Sequence, residues 1–295
     1  MSEQERDPYT GHMDTGHEWN GIRELNTSVP KPVWFFLALT FLFGVGYWIL
    51  MPSWPFWTGY VHGLLGIDEK KSVAERIEEA NAHLPGWVGQ VKTKDFAEIQ
   101  ADPALMVAVR QRGHELFGDN CAACHGVGGR GNRGFPALAA GAWLWGGDPA
   151  TIFETIRVGV NSSNPETRSS QMPAFGKDQL LEKDDILKAI AFVRSLSGLP
   201  HDAALAEAGK DVFANNCVGC HGDDAKGSHD TGAPDLTDKV WLYGSEPETM
   251  FRTVFYGRQG HMPNWDKRLS DFERKVLALY VADLAKGDGK GGGGS

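Results

Sequence analysis

The sequence predicts a mainly α-helical protein: one membrane-spanning helix that anchors two tandem copies of a small helical domain. Three observations carry this. An uncharged apolar run lies near the N-terminus, a stretch over residues 101–198 recurs over 199–288, and each copy opens and closes on helical apolar spacing. With 295 residues, 41% of them hydrophobic, the chain can bury packed cores and is not disordered as a whole. The net charge of −9 gives no basic footprint and argues against a nucleic-acid partner. Four cysteines in this length exclude a disulfide-built scaffold.

Val33 to Met51 is a run of 19 residues without a charge. As a helix it spans about 28 Å, close to the hydrocarbon thickness of a bilayer. A signal peptide starts on a short basic region and ends at a small-residue cleavage site. This run instead follows a polar segment and ends in Met51-Pro52-Ser53-Trp54-Pro55, so residues 31–52 read as a retained transmembrane helix. Pro52 to Ile67 is also uncharged and carries Trp54, Phe56, Trp57 and Tyr60, aromatics that prefer the membrane interface. Ser72 to Leu84 reads as an amphipathic helix with Val73, Ile77, Ala80 and Leu84 along one side. Interfacial segment and juxtamembrane helix together occupy 53–100. Arg23 and Lys31 before the span balance Lys70 and Lys71 after it, so charge alone leaves the orientation tied.

All four cysteines fall in one repeated motif: Cys121-Ala122-Ala123-Cys124-His125 and Cys217-Val218-Gly219-Cys220-His221. CxxCH is the attachment motif of c-type haem. Thiols three positions apart reach both vinyl groups of one porphyrin, and the following histidine is carried to the iron. A redox dithiol or half a zinc site is the competing reading of a CxxC, but the His follows directly both times and no further cysteine exists to complete a zinc site. The cofactor expectation is therefore two covalent haem c groups, on Cys121 and Cys124 and on Cys217 and Cys220, with His125 and His221 as proximal ligands.

The surroundings of the motifs repeat as well. Gly113, Phe117 and Asn120 match Gly209, Phe213 and Asn216; Pro136, Leu138, Trp143, Pro149, Phe153 and Gly159 match Pro234, Leu236, Trp241, Pro247, Phe251 and Gly257. The offset is 98 across this later stretch and 90 at the Met-Pro pairs, because the first copy carries an eight-residue insertion, mostly Asn161 to Arg168. Met172-Pro173 and Met262-Pro263 occur at matching places, which makes Met172 and Met262 the candidate sixth ligands. A Met thioether raises the reduction potential relative to a second His. His261 is a rival to Met262, but its match, Gln171, cannot replace it. Met250 faces the equivalent of Ile152 and reads as core. With both Met positions filled, neither iron keeps an open coordination site, and the expected role is electron transfer. A di-haem peroxidase, which needs such a site, is disfavoured.

Each copy resembles a class I cytochrome c domain: helix, CxxCH, irregular loops, Met-Pro, closing helix. The opening helices fall around Leu105 to Asp119 and Ala203 to Asn215, the closing ones at Asp185 to Leu196 and Asp271 to Leu284. The resemblance implies that first and last helices cross, with Gly113 and Gly209 allowing close approach and Phe117, Phe213, Phe192 and Tyr280 packing at the contact. The simplest pairing is local, His125 with Met172 and His221 with Met262. The alternative is crossed, each copy lending its Met to the other's haem.

Thr15-Gly16-His17-Glu18-Trp19-Asn20-Gly21-Ile22-Arg23-Glu24-Leu25-Asn26 precedes the anchor. With the span, the aromatic stretch and two CxxCH domains, it resembles the di-haem c-type cytochrome subunit (subunit III) of cbb3-type cytochrome c oxidase over nearly the whole chain. The resemblance implies a relay of electrons from a bc1 complex or c-type cytochrome to a mono-haem c subunit and a haem–copper subunit that reduces O2. A free-standing di-haem carrier shares this chemistry and differs in assembly. Haem attachment to CxxCH occurs outside the bacterial cytoplasm, which implies the inner membrane, periplasmic haem domains and a cytoplasmic N-terminal segment, residues 1–30. Residues 1–14 read as a mobile tail and 15–26 as a packing contact with another subunit.

From Ala101 to Gly198 ten basic residues balance ten acidic; from Leu199 to Lys290 there are 11 basic and 15 acidic. Asp223, Asp224, Asp230, Asp235 and Asp238 follow the second motif, as a solvated loop or as a docking face for a basic donor cytochrome. Residues 289–295, ending in Gly-Gly-Gly-Gly-Ser, read as an engineered-looking flexible linker.

Overall fold

The computed structural model describes residues 4–82 and 84–287; the glycine-rich C-terminal linker lies outside the described residues. The chain divides between Leu84 and Pro85 into two units.

In the first unit, β1 (Asp14–Trp19) and β2 (Ile22–Leu25) form an antiparallel hairpin turned by Asn20-Gly21, both at positive φ. Asp14 is buried and accepts hydrogen bonds from the backbone N–H of Glu5 and Gly16 and from the Arg23 guanidinium. An isolated bridge pairs Arg6 with Met13. Residues 4–14, expected as a mobile tail, are thus tied to the hairpin by a buried carboxylate that must be satisfied.

Helix α1 (Lys31–Leu50) carries Pro32 in its first turn, where the missing N–H has no intrahelical partner to lose, and is apolar all round beyond Lys31, with none of its residues buried. Its mean hydropathy reaches 2.0, and among the described residues it is the one helix long and apolar enough to cross a membrane. Pro52 bars its continuation. The chain then folds back through a hairpin of β3 (Pro55–Phe56) and β4 (Gly59–Tyr60). Leu64 and Leu65 N–H groups donate to the carbonyls of Ile49 and Leu50, at 3.0 and 3.1 Å, closing the open end of the helix. Gly63 makes this possible: at φ +71°, a Cβ there would lie 2.5 Å from the Leu50 carbonyl oxygen. Helix α2 (Glu69–Ala82) follows the amphipathic pattern, with Val73 and Ile77 exposed.

The second unit opens with α3 (Gly86–Thr93) and α4 (Phe96–Ala101). The sequence-based division assigned this stretch to the juxtamembrane region. Val91 and Ile99 are instead fully buried in the core of the second unit. A capping box between Asp95 and Glu98 starts α4.

Helices α5 (Pro103–Asn120), α8 (Lys183–Leu196), α9 (Ala203–Asn216) and α12 (Asp271–Gly287) match the predicted opening and closing helices. Shorter helices α6 (Ala122–His125) and α10 (Val218–His221) carry the motifs, and α7 (Pro149–Val158) and α11 (Pro247–Tyr256) lie between motif and Met-Pro.

Neither copy closes on itself. Helix α5 of the first crosses α12 of the second, and a Cβ on Gly113 would lie 2.5 Å from the Tyr280 Cβ. The Phe117 and Tyr280 rings meet at 5.8 Å, and Arg110 grips Asp283 through two hydrogen bonds. The reciprocal pair is α8 with α9, where a Cβ on Gly209 would lie 2.1 Å from the Lys188 carbonyl oxygen and Phe192 meets Phe213 at 5.3 Å. One core joins α3, α4, α5, α7 and α12 through Val91, Ile99, Val109, Phe117, Ile156 and Leu277. The other joins α8, α9 and α11 through Ile186, Ile190, Phe213 and Met250. The division at 198/199 therefore marks the duplication, while packing runs across it. The physical reason is the short link from Leu196 to Ala203, which makes α8 and α9 an antiparallel pair.

Residues 85–198 expressed alone hold α5 without α12 and α8 without α9. They should show no cooperative thermal transition by circular dichroism, whereas residues 85–288 should melt as one unit. A cooperative melt of the shorter piece contradicts the exchanged packing.

Candidate haem-binding site

The last turn of α5 delivers Cys121: its N–H donates to Phe117, and its own carbonyl accepts from Cys124 and His125, making one further turn of helix. Gly126, at φ +74°, then reverses the chain. The second copy repeats this from Cys217 to Gly222. Cys121 and Cys124 thus face one side of a single turn, with His125 directly after. No cysteine is in a disulfide, and among the described residues no group of three His, Cys, Asp or Glu could hold a bare metal ion.

The histidines are oriented identically. His125 Nδ1 donates to the Pro136 carbonyl at 3.0 Å, and His221 Nδ1 to the Pro234 carbonyl at 3.1 Å. A carbonyl only accepts, so Nδ1 must carry the proton and Nε2 keeps its lone pair for iron. Burial lowers both imidazole pKa values, and the carbonyl bond partly opposes this. The neutral, ligating form is therefore favoured at pH 7. Burial pushes the Cys121 and Cys217 thiols up to about 11, with a smaller push from Cys124 and Cys220. They stay protonated, unlike the thiolates of a zinc site. A buried thiol, a second cysteine three positions on and a tautomer-fixed imidazole on one turn fit a covalently held haem.

Loops after each motif are laid across the other copy by a pseudo-two-fold relation. Gly134 abuts Tyr243 of the second copy, and Gly232 abuts Trp145 of the first. Gly134 N–H donates to the Leu242 carbonyl at 2.7 Å. A cavity of about 690 Å³ runs between these loops, with Pro136 and Trp143 on one side and Pro234 and Trp241 on the other. The Arg168 guanidinium lies over Trp145 at 5.1 Å and Arg258 over Tyr243 at 4.1 Å. Each is held by a threonine of the preceding helix, Thr155 on α7 and Thr253 on α11.

The Met-Pro segments are also exchanged. Met262 forms two backbone hydrogen bonds with Val160, and Met172 two with Arg258. Gly159 and Gly257, both at φ +70°, admit these strands; a Cβ on either would lie about 2.5 Å from a carbonyl oxygen of the opposite segment. Met262 packs against the core that holds Cys121 and Ala122. Beyond Met172, Phe175 and Lys177 bond to the backbone of Val254 and Phe255, on the helix whose core holds Cys217. His261 is exposed, its Nδ1 bonded to the Asn161 carbonyl at 2.9 Å. Met250 is buried, as its spacing predicts.

Sequence reasoning missed the Thr–Arg–aromatic brackets. Their signal was present: Thr155 and Thr253, and Trp145 and Tyr243, stand at the repeat offset of 98.

Three family models match the chain: the N-terminal domain of cytochrome oxidase-cbb3, FixP, over residues 11–58; cytochrome c over 110–197; and cytochrome C oxidase, cbb3-type, subunit III, over 204–281. The cytochrome c matches imply covalently bound haem c. Similar full-length proteins include the cbb3-type cytochrome c oxidase subunit FixP of Bradyrhizobium sp. (strain ORS 278), 44% identical over 96% of this chain and 98% of the relative. The subunit CcoP of Cereibacter sphaeroides is 41% identical over 93% and 95%, and that of Azospirillum brasilense 38% over 97% and 100%. With its apolar helix, its duplicated CxxCH turn and this likeness from end to end, the chain belongs to the FixP/CcoP family of cbb3-type cytochrome c oxidase subunits.

Proposed function

We propose that the chain carries two haem c groups, one on Cys121 and Cys124, the other on Cys217 and Cys220, and relays electrons between them. The observation that carries this is the duplicated turn with each histidine Nδ1 tied to a proline carbonyl, which leaves Nε2 of His125 and His221 free to ligate. Bound haem c supplies a one-electron iron couple. The chain's part is to hold each imidazole neutral and fixed, present a thioether opposite it, and keep water from the crevice.

The pairing of sixth ligands is crossed: Met262 serves the haem of His125, and Met172 that of His221. Packing of Met262 on the core of Cys121, and docking of the Met172 segment on α11, support this over the local pairing. Sulfur ligation raises both potentials, which suits delivery to a terminal oxidase. Electrons enter from a bc1 complex or a c-type cytochrome and leave towards the mono-haem subunit and the haem–copper subunit, where O2 is reduced. Helix α1 spans the bacterial inner membrane with the N-terminal hairpin in the cytoplasm and the haem unit in the periplasm, where CxxCH is loaded.

Replacing Cys217 and Cys220 together by Ala should halve the haem content per chain in a pyridine haemochrome assay. Two haems remaining per chain would contradict the assignment. In that single-haem background, Met262→His should lower the midpoint potential of the remaining haem and Met172→His should leave it in place. The reverse pattern would establish the local pairing.

A further inference from the structure

The two copies reach the same threonine–arginine–aromatic bracket by different chain paths. Counted back from the Met-Pro pairs, Arg168 and Arg258 are counterparts, each four positions before its Met. Counted forward from α7 and α11, Gly159 and Gly257 are counterparts. Arg258 follows Gly257 directly, whereas Arg168 stands nine positions after Gly159, so the eight extra residues lie between glycine and arginine. They do not carry the guanidinium away. Asn161, at φ +48°, turns the chain; its N–H donates to the Arg168 carbonyl at 2.8 Å, and the Arg168 N–H returns to the Gly159 carbonyl at 3.1 Å. Two bonds of 2.6 Å brace the loop, from the Arg157 guanidinium to Glu166 and from Ser162 Oγ to the Val158 carbonyl.

The loop splits between two residues what one residue does in the second copy. Arg258 pairs through its backbone with Met172 and sends its guanidinium to Thr253 and Tyr243. In the first copy Val160 makes the backbone pair, with Met262, and Arg168, bridged alongside Val160, sends its guanidinium to Thr155 and Trp145. Nε donates to the threonine hydroxyl at 2.9 Å in the first bracket and 3.1 Å in the second. Both side chains are half-buried, and a guanidinium keeps its charge throughout the working pH range. Threonine and ring leave that charge uncancelled. Among the described residues neither arginine forms an ion pair, and neither Nη1 makes a hydrogen bond. Glu154 feels the Arg168 charge, but its own bonds go to Arg157. The Tyr243 ring, under Arg258, lines the cavity between the copies.

We propose that Arg168 and Arg258 are the counter-charges for haem carboxylates, Arg168 for the haem on Cys121 and Cys124 and Arg258 for the haem on Cys217 and Cys220, and that the inserted loop is folded so as to keep Arg168 in that place. This rests on the reading of the chain as a two-haem carrier with crossed Met ligands, since each arginine belongs to the haem whose Met-Pro strand it stands beside. A half-buried cation gains most from an anion brought into the same crevice, and haem c brings two carboxylates. The threonine and the ring aim the fork, so the charge stays put whether or not the loop is present. Positive charge beside a haem opposes the extra charge of ferric iron, so each arginine raises the reduction potential of its own haem.

The test is a spectroscopic redox titration of the haem-loaded full chain in detergent, with haem content read by pyridine haemochrome. Arg168→Gln and Arg258→Gln should each shift one of the two couples towards the oxidised form by about tenfold at a fixed potential, about 59 mV for one electron. The two variants should shift different couples. The weak far-red band of thioether ligation should persist in both, which separates a lost charge from a lost ligand. Arg168→Lys, which keeps the charge, should recover most of the shift. Val160→Arg with Arg168→Ala moves the arginine to five positions after Thr155, the spacing of Arg258 from Thr253, and should bring the couple back as well. If a Gln variant loses haem, these two charge-restoring variants decide, and they should hold haem at the unaltered potential. Unmoved couples in haem-loaded Gln variants, one and the same couple moved by both, or a shift that neither charge-restoring variant reverses would overturn the proposal. An unaltered chain with fewer than two haems would sink the two-haem reading instead, and Met262→His in the single-haem chain tests the crossed ligands independently of either arginine.

Discussion

Two helix crossings at glycine hold the haem unit together. At Gly113 against Tyr280 and at Gly209 against Lys188, backbones come closer than any side chain at those positions would allow. Each crossing joins an opening helix to a closing helix, and each takes one helix from either copy. The α8–α9 pair is local, because Leu196 and Ala203 are separated by a short link. With that pair made, α5 and α12 are left as the partners for each other, although 150 residues lie between them in sequence. The ring contacts of Phe117 with Tyr280 and Phe192 with Phe213 are consequences of that closeness.

From this exchange the site follows. Each CxxCH turn extends directly from an opening helix, so its surroundings are set by the partner that helix has. Each Met-Pro lies within ten residues of the start of a closing helix, so it travels with that helix to the other copy. The backbone pairs of Met262 with Val160 and Met172 with Arg258, and the reciprocal contacts of Gly134 with Tyr243 and Gly232 with Trp145, express the same pseudo-two-fold relation. The two CxxCH turns are thereby built into one interlocked fold and not into two freely hinged domains.

Much of this was legible in the residues. The membrane helix is a continuous apolar run, and CxxCH has fixed local geometry, so both follow from sequence with little reference to tertiary structure. Helices α5, α8, α9 and α12 follow from apolar periodicity; the structure adds Asp102 and Asp202 as the N-caps of α5 and α9. The exchange was not legible, because Phe117 and Phe213 have the same local environment whichever closing helix they meet; partner choice is decided by link length and packing. Residues 86–100 read as juxtamembrane because their polar exterior hides three buried residues, Val88, Val91 and Ile99, in a stretch that packs against α5 and α12. In the N-terminal tail the deciding group was a single buried carboxylate, Asp14, whose three partners are spread over residues 5 to 23.

The claim that this chain feeds electrons to an oxygen-reducing partner is tested most directly by gentle solubilisation of membranes, affinity purification through this chain, and measurement of haem types, copper and oxygen consumption with a reduced c-type cytochrome as donor. The account predicts that b-type haem and copper are recovered with the chain and that oxygen consumption is cyanide-sensitive. Recovery of low-spin c-type haem alone, with no oxygen consumption, would contradict it and leave a membrane-tethered carrier.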